Sequence, residues 1–320
     1  MDSQDILLRA LKAHNLRAVV KERGINREKF TYVTSPGGNQ LVISWKKYRH
    51  PFPSTSAHVL SLDKSAAYEH VQSLGYAVPR SWYLLRNDTV PREILEGAEK
   101  VVVKPLDSAL SYGVTTDITD ESDLRVAIGR AREHSEVCIV QKQFVGEEYR
   151  FIIVDGVARS VLWRQKPYVI GDGVSTIEEL VRKENEERSR IHDSLIEYPP
   201  LTEVMIGGIA VDQRIPSSGE RVELGRGTRI QLGASMYDAT EQVHVSYKDI
   251  ASDIGRSIGS GFVVVDMMIQ DHAVPSGGEN YIFLEYNMSP SLAPMYSCRD
   301  GKHIEVAEQY LAPKIAALLQ

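Results

Sequence analysis

The sequence predicts an α+β (α/β) fold, because helix-like and strand-like segments alternate along its 320 residues. Two runs rich in β-branched residues, 100–106 and 137–145, have the composition of buried strands. The segment 149–164 is predicted to form a hairpin in which Asp155 and Gly156 supply the positive φ angles of a tight turn. These observations favour layers of sheet and helix.

Five helices are predicted from apolar residues at helical spacing. They span residues 6–15, 64–74, 175–188, 248–259 and 303–319. Gly75 is expected to end the second helix, and Ser175 and Glu178 have the spacing of a capping box at the start of the third. Pro313 interrupts the last helix. The segment 50–58, rich in Pro and Ser, is predicted to be a linker.

The composition argues against several classes of protein. The net charge is −6 and the pI about 5.9, an acidic balance that disfavours a nucleic-acid-binding surface. The N-terminus has acidic residues where a signal peptide needs basic ones, and no apolar run approaches the roughly 18 residues of a membrane span. Cys138 and Cys298 form neither a disulfide framework nor a zinc motif. We therefore expect a cytoplasmic protein that binds neither nucleic acid nor membrane.

A metal site is predicted at the end of the apolar strand within 280–292. Glu285 and Asn287 share a face of this strand, because side chains two residues apart point the same way. If the strand pairs antiparallel with a strand predicted at 261–270, Asp266 lies opposite Glu285. Buried carboxylates repel each other unless a cation lies between them, and these oxygen ligands suit magnesium. The alternative is that Glu285 ends an exposed strand while Asp266 pairs with a basic residue.

A nucleotide site is predicted although the P-loop pattern GxxxxGK[ST] is absent. A buried strand delivers Lys104, a charge suited to phosphate, and the loop 107–114 after it carries hydroxyls and amides that could close over phosphate oxygens. The next strand ends in Phe144 and Val145, whose backbone could meet an adenine edge. Glu148 could accept hydrogen bonds from ribose hydroxyls, and its alternative is an exposed acidic turn.

The stretches around these residues follow one another in a recognisable order. They are SLDKSAAYEHVQSLGYAVP, VVVKPLDSALSYGV, VQKQFVGEEYRFIIVDG, VVVDMMIQ and LEYNMSPSL. This order resembles that of the ATP-grasp carboxylate–amine ligases. The stretches 163–188 and 222–244 are more narrowly similar to the ATP-grasp modules of cyanophycin synthetase and of bifunctional glutathione synthetase. The resemblance covers about residues 50–317.

The resemblance implies an ATP-grasp fold, in which two α+β subdomains clasp ATP. Residues 1–57 would form a short N-terminal domain. Residues 58–145 would form the small subdomain with its phosphate-covering loop, and residues 146–320 the large subdomain with the metal site.

The resemblance also assigns roles to individual residues. Lys64 and Lys104 would hold the ATP phosphates, with Ser111 and Gly113 in the covering loop. Adenosine would be framed by Gln141, Lys142, Phe144, Val145 and Glu148. One or two magnesium ions, with manganese as an alternative, would be bound by Asp266, Glu285 and Asn287. The catalytic cations beside the γ-phosphate or the acyl phosphate would be Arg150, Arg164 and Arg229.

Two departures from the relatives concern the loops. The covering loop DSALSYGV has serines where the relatives have glycines, and Arg229 stands in a segment where they have an Asn-Leu-Ser-type run. The second departure puts the acceptor or donor pocket in doubt. Arg164, Lys166, Arg226 and Arg229 suggest substrates that carry carboxylates, as amino acids and short peptides do. For Arg226 and Arg229 the alternative is a solvated hairpin.

The implied function is ligation of a carboxylate to an amine through an acyl phosphate, with release of ADP and phosphate. A phosphotransferase (kinase) on the same fold is one alternative, since the fold also supports phosphoryl transfer without ligation. A non-catalytic nucleotide-binding protein is another, although it would not need the complete set of Asp266, Glu285 and Asn287. Homodimers are common among such proteins, and the sequence itself gives no sign of one.

Overall fold

Antiparallel sheets and helices form the part of the chain that this computed structural model describes. That part comprises residues 2–44, 50–96, 100–106, 113–191, 198–202, 213–225, 227–300 and 303–320. The helices are α1 (Ser3–Ala13), α2 (Thr55–Leu62), α3 (Lys64–Ser73), α4 (Glu121–Arg132), α5 (Ile177–Arg190), α6 (Val245–Ser257) and α7 (Ala312–Leu318). None of the described helices combines the length and the apolar character that crossing a bilayer requires.

Fourteen strands are assigned within the described residues. They are β1 (Arg17–Arg23), β2 (Glu28–Thr34), β3 (Gln40–Ser44), β4 (Ser81–Leu85), β5 (Val101–Pro105), β6 (Thr115–Ile118), β7 (Val137–Lys142), β8 (Glu147–Val154), β9 (Val157–Gln165), β10 (Tyr168–Ile170), β11 (Arg221–Glu223), β12 (Ser235–Asp238), β13 (Phe262–Ile269) and β14 (Tyr281–Asn287). The predicted hairpin is confirmed as β8 and β9, with Asp155 at φ 50° and Gly156 at φ 74°.

The central feature is a five-stranded sheet in the order β12-β9-β8-β13-β14. Its strands are apolar on both faces, as expected for a sheet that is covered on both sides. One face packs on α3 and α6 through residues such as Phe151, Val263 and Phe283. The other face packs on the N- and C-terminal elements through Ile152 and Val264. This second face carries the candidate site.

The N-terminal elements share the hydrophobic cluster on this second face. Strands β1, β2 and β3 form a separate meander, and α1 packs on β1 and on the C-terminal helical segment. Leu7 and Leu11 of α1, Val33 of β2 and Ile43 of β3 share one hydrophobic cluster with Ile315 of α7. The first residues therefore contribute to the core of the large sheet. The domain boundaries given above stay predictions.

A second sheet, in the order β4-β7-β5-β6, is covered on one face by α4. Val101 and Val103 of β5 pack with Val140 of β7 on that covered face. The alternate residues of these strands point the other way, and they include Lys104 and Gln141. The nucleotide-binding lysine predicted from the sequence is thus on the face away from α4.

The start of α5 corrects one prediction. The helix is capped by Thr176 and Glu179, which form the capping box, and the predicted pair Ser175 and Glu178 does not. Ser175 is already engaged, because its backbone N–H donates to Asp172 Oδ1 at 2.7 Å and its hydroxyl donates to Asp172 Oδ2 at 2.7 Å. This Asx turn uses Ser175, so the helix begins one residue later.

Two other segments differ from the sequence predictions. The segment 50–58, predicted as a linker, contains the start of α2, whose cap Ser54 accepts from the Ala57 N–H at 3.0 Å. The last helix begins with a π-helical turn, Ala307–Leu311, and α7 follows with Pro313 in its first turn. Proline is tolerated there, because the first turn has no partner for its backbone N–H groups. Gly75, at φ 87°, ends α3 as predicted.

Candidate active site

One face of the five-stranded sheet changes from apolar to charged along its strands. Ile152 on β8 comes two positions after Arg150, and Val264 on β13 comes two positions before Asp266, so each apolar residue has a charged neighbour on the same face. The charged and polar residues at this end are Glu148, Arg150, Arg164, Asp266, Glu285 and Asn287. The structure therefore brings six of the predicted site residues together.

The predicted pairing of the two carboxylates is confirmed. Asp266 on β13 lies opposite Glu285 on β14, and a bulge after Asp266 sets this register. On its other side Asp266 lies opposite Arg150 of β8. Arg150 Nε donates to Asp266 Oδ1 at 2.8 Å and Nη2 donates to Oδ2 at 2.6 Å. Asp266 thus has both the facing carboxylate that was predicted and the basic partner that was its alternative.

A second buried ion pair lies beside the first. Arg164 on β9 is paired with Glu148 on β8. The Thr228 hydroxyl also donates to Glu148, and Arg164 Nε donates to the Thr228 carbonyl at 2.9 Å. Glu148, predicted to accept from a ribose, is therefore engaged by two protein donors here. Arg229 follows Thr228, and its buried Nε has no hydrogen-bond partner among the described residues.

Glu285 is the carboxylate on this face without a guanidinium partner among the described residues. Burial raises its pKa, and the facing Asp266 raises it further, while Lys64 and Arg150 act in the opposite direction. A half-buried carboxylate that faces the buried Asp266 fits a hard divalent cation. No group of three or more His, Cys, Asp or Glu side chains suited to a metal occurs in the described ranges, so the fit rests on two carboxylates and the amide of Asn287.

Two lysines approach from the neighbouring elements. Lys64 begins α3, and its Nζ lies 3.5 Å from the Leu106 carbonyl. Lys104 on β5 donates to the Tyr68 hydroxyl at 3.0 Å and lies 5.6 Å from the centre of that ring. Tyr68 of α3 therefore orients the predicted phosphate-binding lysine, a contact that no sequence pattern predicts.

The remaining predicted residues lie along and after β7. Gln141 is buried and donates to the Ser81 hydroxyl at 2.7 Å, whereas Lys142 is exposed. Val145 is 73% exposed, so its side chain is open to a ligand. Phe144 is half-buried, and Gly113 lies against Pro105 and His134. Ser111 lies outside the described residues, as do Arg226 and most of the loop 107–114.

His50 was not predicted to have a role, yet it contacts the residue that follows β14. Its side chain is 1% exposed, and Nε2 lies 2.7 Å from the carbonyl of Met288, the residue after Asn287. Nδ1 accepts from the Phe52 N–H at 3.1 Å, so Nε2 is the donor to Met288. Burial lowers the pKa of His50 to about 4. A single histidine in a Pro-rich segment carries no sequence signal for such a contact.

This histidine predicts a loss of stability in acid. The pKa of His50 is about 4 in the folded chain against 6.5 when exposed, so the unfolded chain binds more protons between those values. The contribution of neutral His50 to the free energy of unfolding is therefore complete above about pH 6.5 and is lost as the pH falls towards about 4. Between pH of about 7 and about 4.5, the free energy of unfolding should fall by roughly 2 to 3 kcal/mol more in the wild type than in His50→Gln. Urea unfolding at both pH values measures this difference, and equal losses would contradict it.

Comparisons with known proteins agree with this architecture. No family model matches the chain. It is 29% identical over 250 residues to the glutathione biosynthesis bifunctional protein of Streptococcus mutans, covering 74% of this chain and 33% of the relative. It is 27% identical over 241 residues to cyanophycin synthetase of Crocosphaera subtropica, covering 72% of this chain and 28% of the relative. The chain thus spans about a third of the length of these curated relatives.

The solved structures define the fold. A bifunctional glutathione synthetase from Pasteurella multocida matches with a TM-score of 0.67 at 21% identity, covering 99% of this chain and 44% of that one. The chain therefore has the ATP-grasp fold, and the predicted fold class is confirmed. The resemblance to the ATP-grasp modules of bifunctional glutathione synthetase and cyanophycin synthetase is confirmed as well.

Proposed function

We propose that this chain is an ATP-dependent ligase that joins the carboxylate of an amino acid or short peptide to an amine. The observation that carries the proposal is the charged end of the large sheet, where Asp266 and Glu285 face each other at one rung with Arg150 alongside. Lys64 acts electrostatically on Glu285, whose pKa it lowers. Carboxylates for a cation and lysines for phosphate are the groups that binding of Mg·ATP requires.

The proposed reaction has two steps. The substrate carboxylate attacks the γ-phosphate of ATP, which forms an acyl phosphate and releases ADP. The amine then attacks the acyl carbon, phosphate leaves, and the amine gives up a proton. Positioning and charge stabilisation provide most of the catalysis in such transfers. Arg150 and Arg164 both lie on the charged face, and Arg164 is held there by Glu148 and by the Thr228 carbonyl, so its guanidinium group is already oriented.

A bound divalent cation would be held by Glu285, Asp266 and Asn287. It would neutralise negative charge on the phosphate oxygens. The chain's own residues prepare this site: the bulge after Asp266 sets the rung, and His50 holds the carbonyl that follows Asn287. Magnesium, in one or two copies, or manganese, suits these oxygen ligands.

Release of ADP tests the proposal directly. Mg·ATP is incubated with pools of N-acetylated amino acids and dipeptides, which carry a carboxylate but no free α-amine, with and without an added amine, and ADP is measured. A ligase is expected to sustain ADP release only when an acid and an amine are both present, and mass spectrometry of the mixture identifies the new bond. Sustained ADP release with the acid pool alone, together with a phosphorylated product, would instead identify a phosphotransferase.

A further inference from the structure

The charges on the sheet face do not balance pair by pair. Three carboxylates (Glu148, Asp266 and Glu285) share this face with the guanidinium groups of Arg150 and Arg164. Arg164 is paired with Glu148, and Arg150 is paired with Asp266. Arg150 donates a hydrogen bond to each oxygen of Asp266, the carboxylate predicted to bind a cation. A cation that approached either oxygen would therefore meet the guanidinium.

We propose that Arg150 is an internal counter-ion, which occupies Asp266 in the cation-free protein and releases it when a divalent cation binds between Asp266 and Glu285. This inference rests on the proposed function, because it requires that the face binds a cation. It adds to that function a second role for Arg150, which exchanges one partner for another during the loading of the site.

The burial of Asp266 explains why a counter-ion is needed. Its side chain is 1% exposed, and an ionised carboxylate that is buried without a partner strongly destabilises a fold. A bidentate guanidinium satisfies both oxygens and allows the sheet to form before any cation arrives. The same guanidinium competes with an arriving cation, because its positive charge lies against both oxygens of Asp266 and takes one lone pair of each.

The surroundings of the two arginines indicate which of them can move. Arg164 is tied to a third group, since it donates to the Thr228 carbonyl while Thr228 donates to its partner Glu148. Among the described residues, the hydrogen bonds of the Arg150 side chain all go to Asp266. Glu148 and Glu285 are close enough to Arg150 to favour its charged form, so other acceptors lie near once Asp266 is released.

Binding of Mn²⁺ without nucleotide tests the exchange. Free Mn²⁺ is measured by electron paramagnetic resonance with the wild-type chain, with Arg150→Met and with Arg164→Met. The two variants remove the same charge from the same face, but only Arg150→Met frees Asp266. We expect Arg150→Met to bind Mn²⁺ about tenfold more tightly than the wild type and clearly more tightly than Arg164→Met. Equal affinities of the two variants, or no gain over the wild type, would overturn the inference.

A second measurement covers the case in which Arg150→Met does not fold without a cation. Arg150→Lys keeps the charge but cannot bridge both oxygens, and its melting temperature is measured in chelator and in Mn²⁺. We expect Mn²⁺ to raise the melting temperature of Arg150→Lys by more than that of the wild type, and an equal or smaller rise would refute the exchange. If the wild type binds no Mn²⁺ even with ATP, the proposed metal site fails as well. If it binds Mn²⁺ but the variants do not differ from it, only the exchange fails.

Discussion

Replacing Glu285 by alanine is expected to abolish ADP formation while the fold stays intact. Among the described residues of the charged face, Glu285 is the carboxylate without a guanidinium partner, so its loss would remove a proposed oxygen ligand of the cation. The expected loss is at least about a hundredfold in turnover, the scale at which a group that stabilises the transition state usually matters. A coupled assay of ADP release measures it, and near wild-type turnover would show that the metal assignment is wrong.

The matched control is Glu279→Ala, which removes an exposed carboxylate from the turn between β13 and β14. Its turnover should equal that of the wild type.

The stability of Glu285→Ala gives an independent check. Burial and the facing Asp266 raise the pKa of Glu285, so the free energy of unfolding falls as the pH rises from the ordinary glutamate pKa to the raised pKa. In chelator at neutral pH, the variant should therefore be at least as stable as the wild type.

Replacing Arg188 by alanine is expected to cause a large loss of stability. This side chain is 1% exposed, and it donates to the Gly233 carbonyl at 2.6 Å and to Glu184 at 2.8 Å. It thereby ties α5 to the segment before β12. Loss of one partner of a buried ion pair typically costs about 3 to 5 kcal/mol. Because Arg299 also pairs with Glu184, we expect about 3 kcal/mol, the lower end of that range.

Arg182→Ala is the control on the same helix. Arg182 is paired with Glu186, but its side chain is 66% exposed, so the change should cost less than about 1 kcal/mol. Urea unfolding of the two variants beside the wild type gives both values. If Arg188→Ala cost no more than Arg182→Ala, the buried network would not hold α5 in place.

The position of the carboxylates could be predicted because it depends on local rules. Alternation along a strand places Glu285 and Asn287 on one face, and the distance to the turn places Glu285 within one residue of Asp266. The bulge after Asp266 completes the pairing. The hairpin at Asp155 and Gly156 and the stop at Gly75 follow from equally local preferences for positive φ. These rules need only neighbours in sequence or the distance to a turn.

The partners of the site residues could not be predicted, because their contacts are made between elements distant in sequence. Asp266 meets Arg150 across 116 positions, and His50 meets Met288 across 238. The sequence offered both a cation and a basic residue as partners for Asp266, and it could not choose between them. The capping box moved by one residue because Asp172 had already engaged Ser175, a competition between two local motifs of similar strength.

Equilibrium binding of ATP is the most direct test of whether Glu285 belongs to a site for ATP and a divalent cation. Isothermal titration calorimetry is performed in Mg²⁺ and in chelator, with the wild type, Glu285→Ala and Glu279→Ala. We expect the wild type and Glu279→Ala to bind ATP more tightly in Mg²⁺ than in chelator, and we expect Glu285→Ala to lose this difference. A wild-type chain that binds no ATP, or binds it equally in Mg²⁺ and in chelator, would refute the proposed Mg·ATP site.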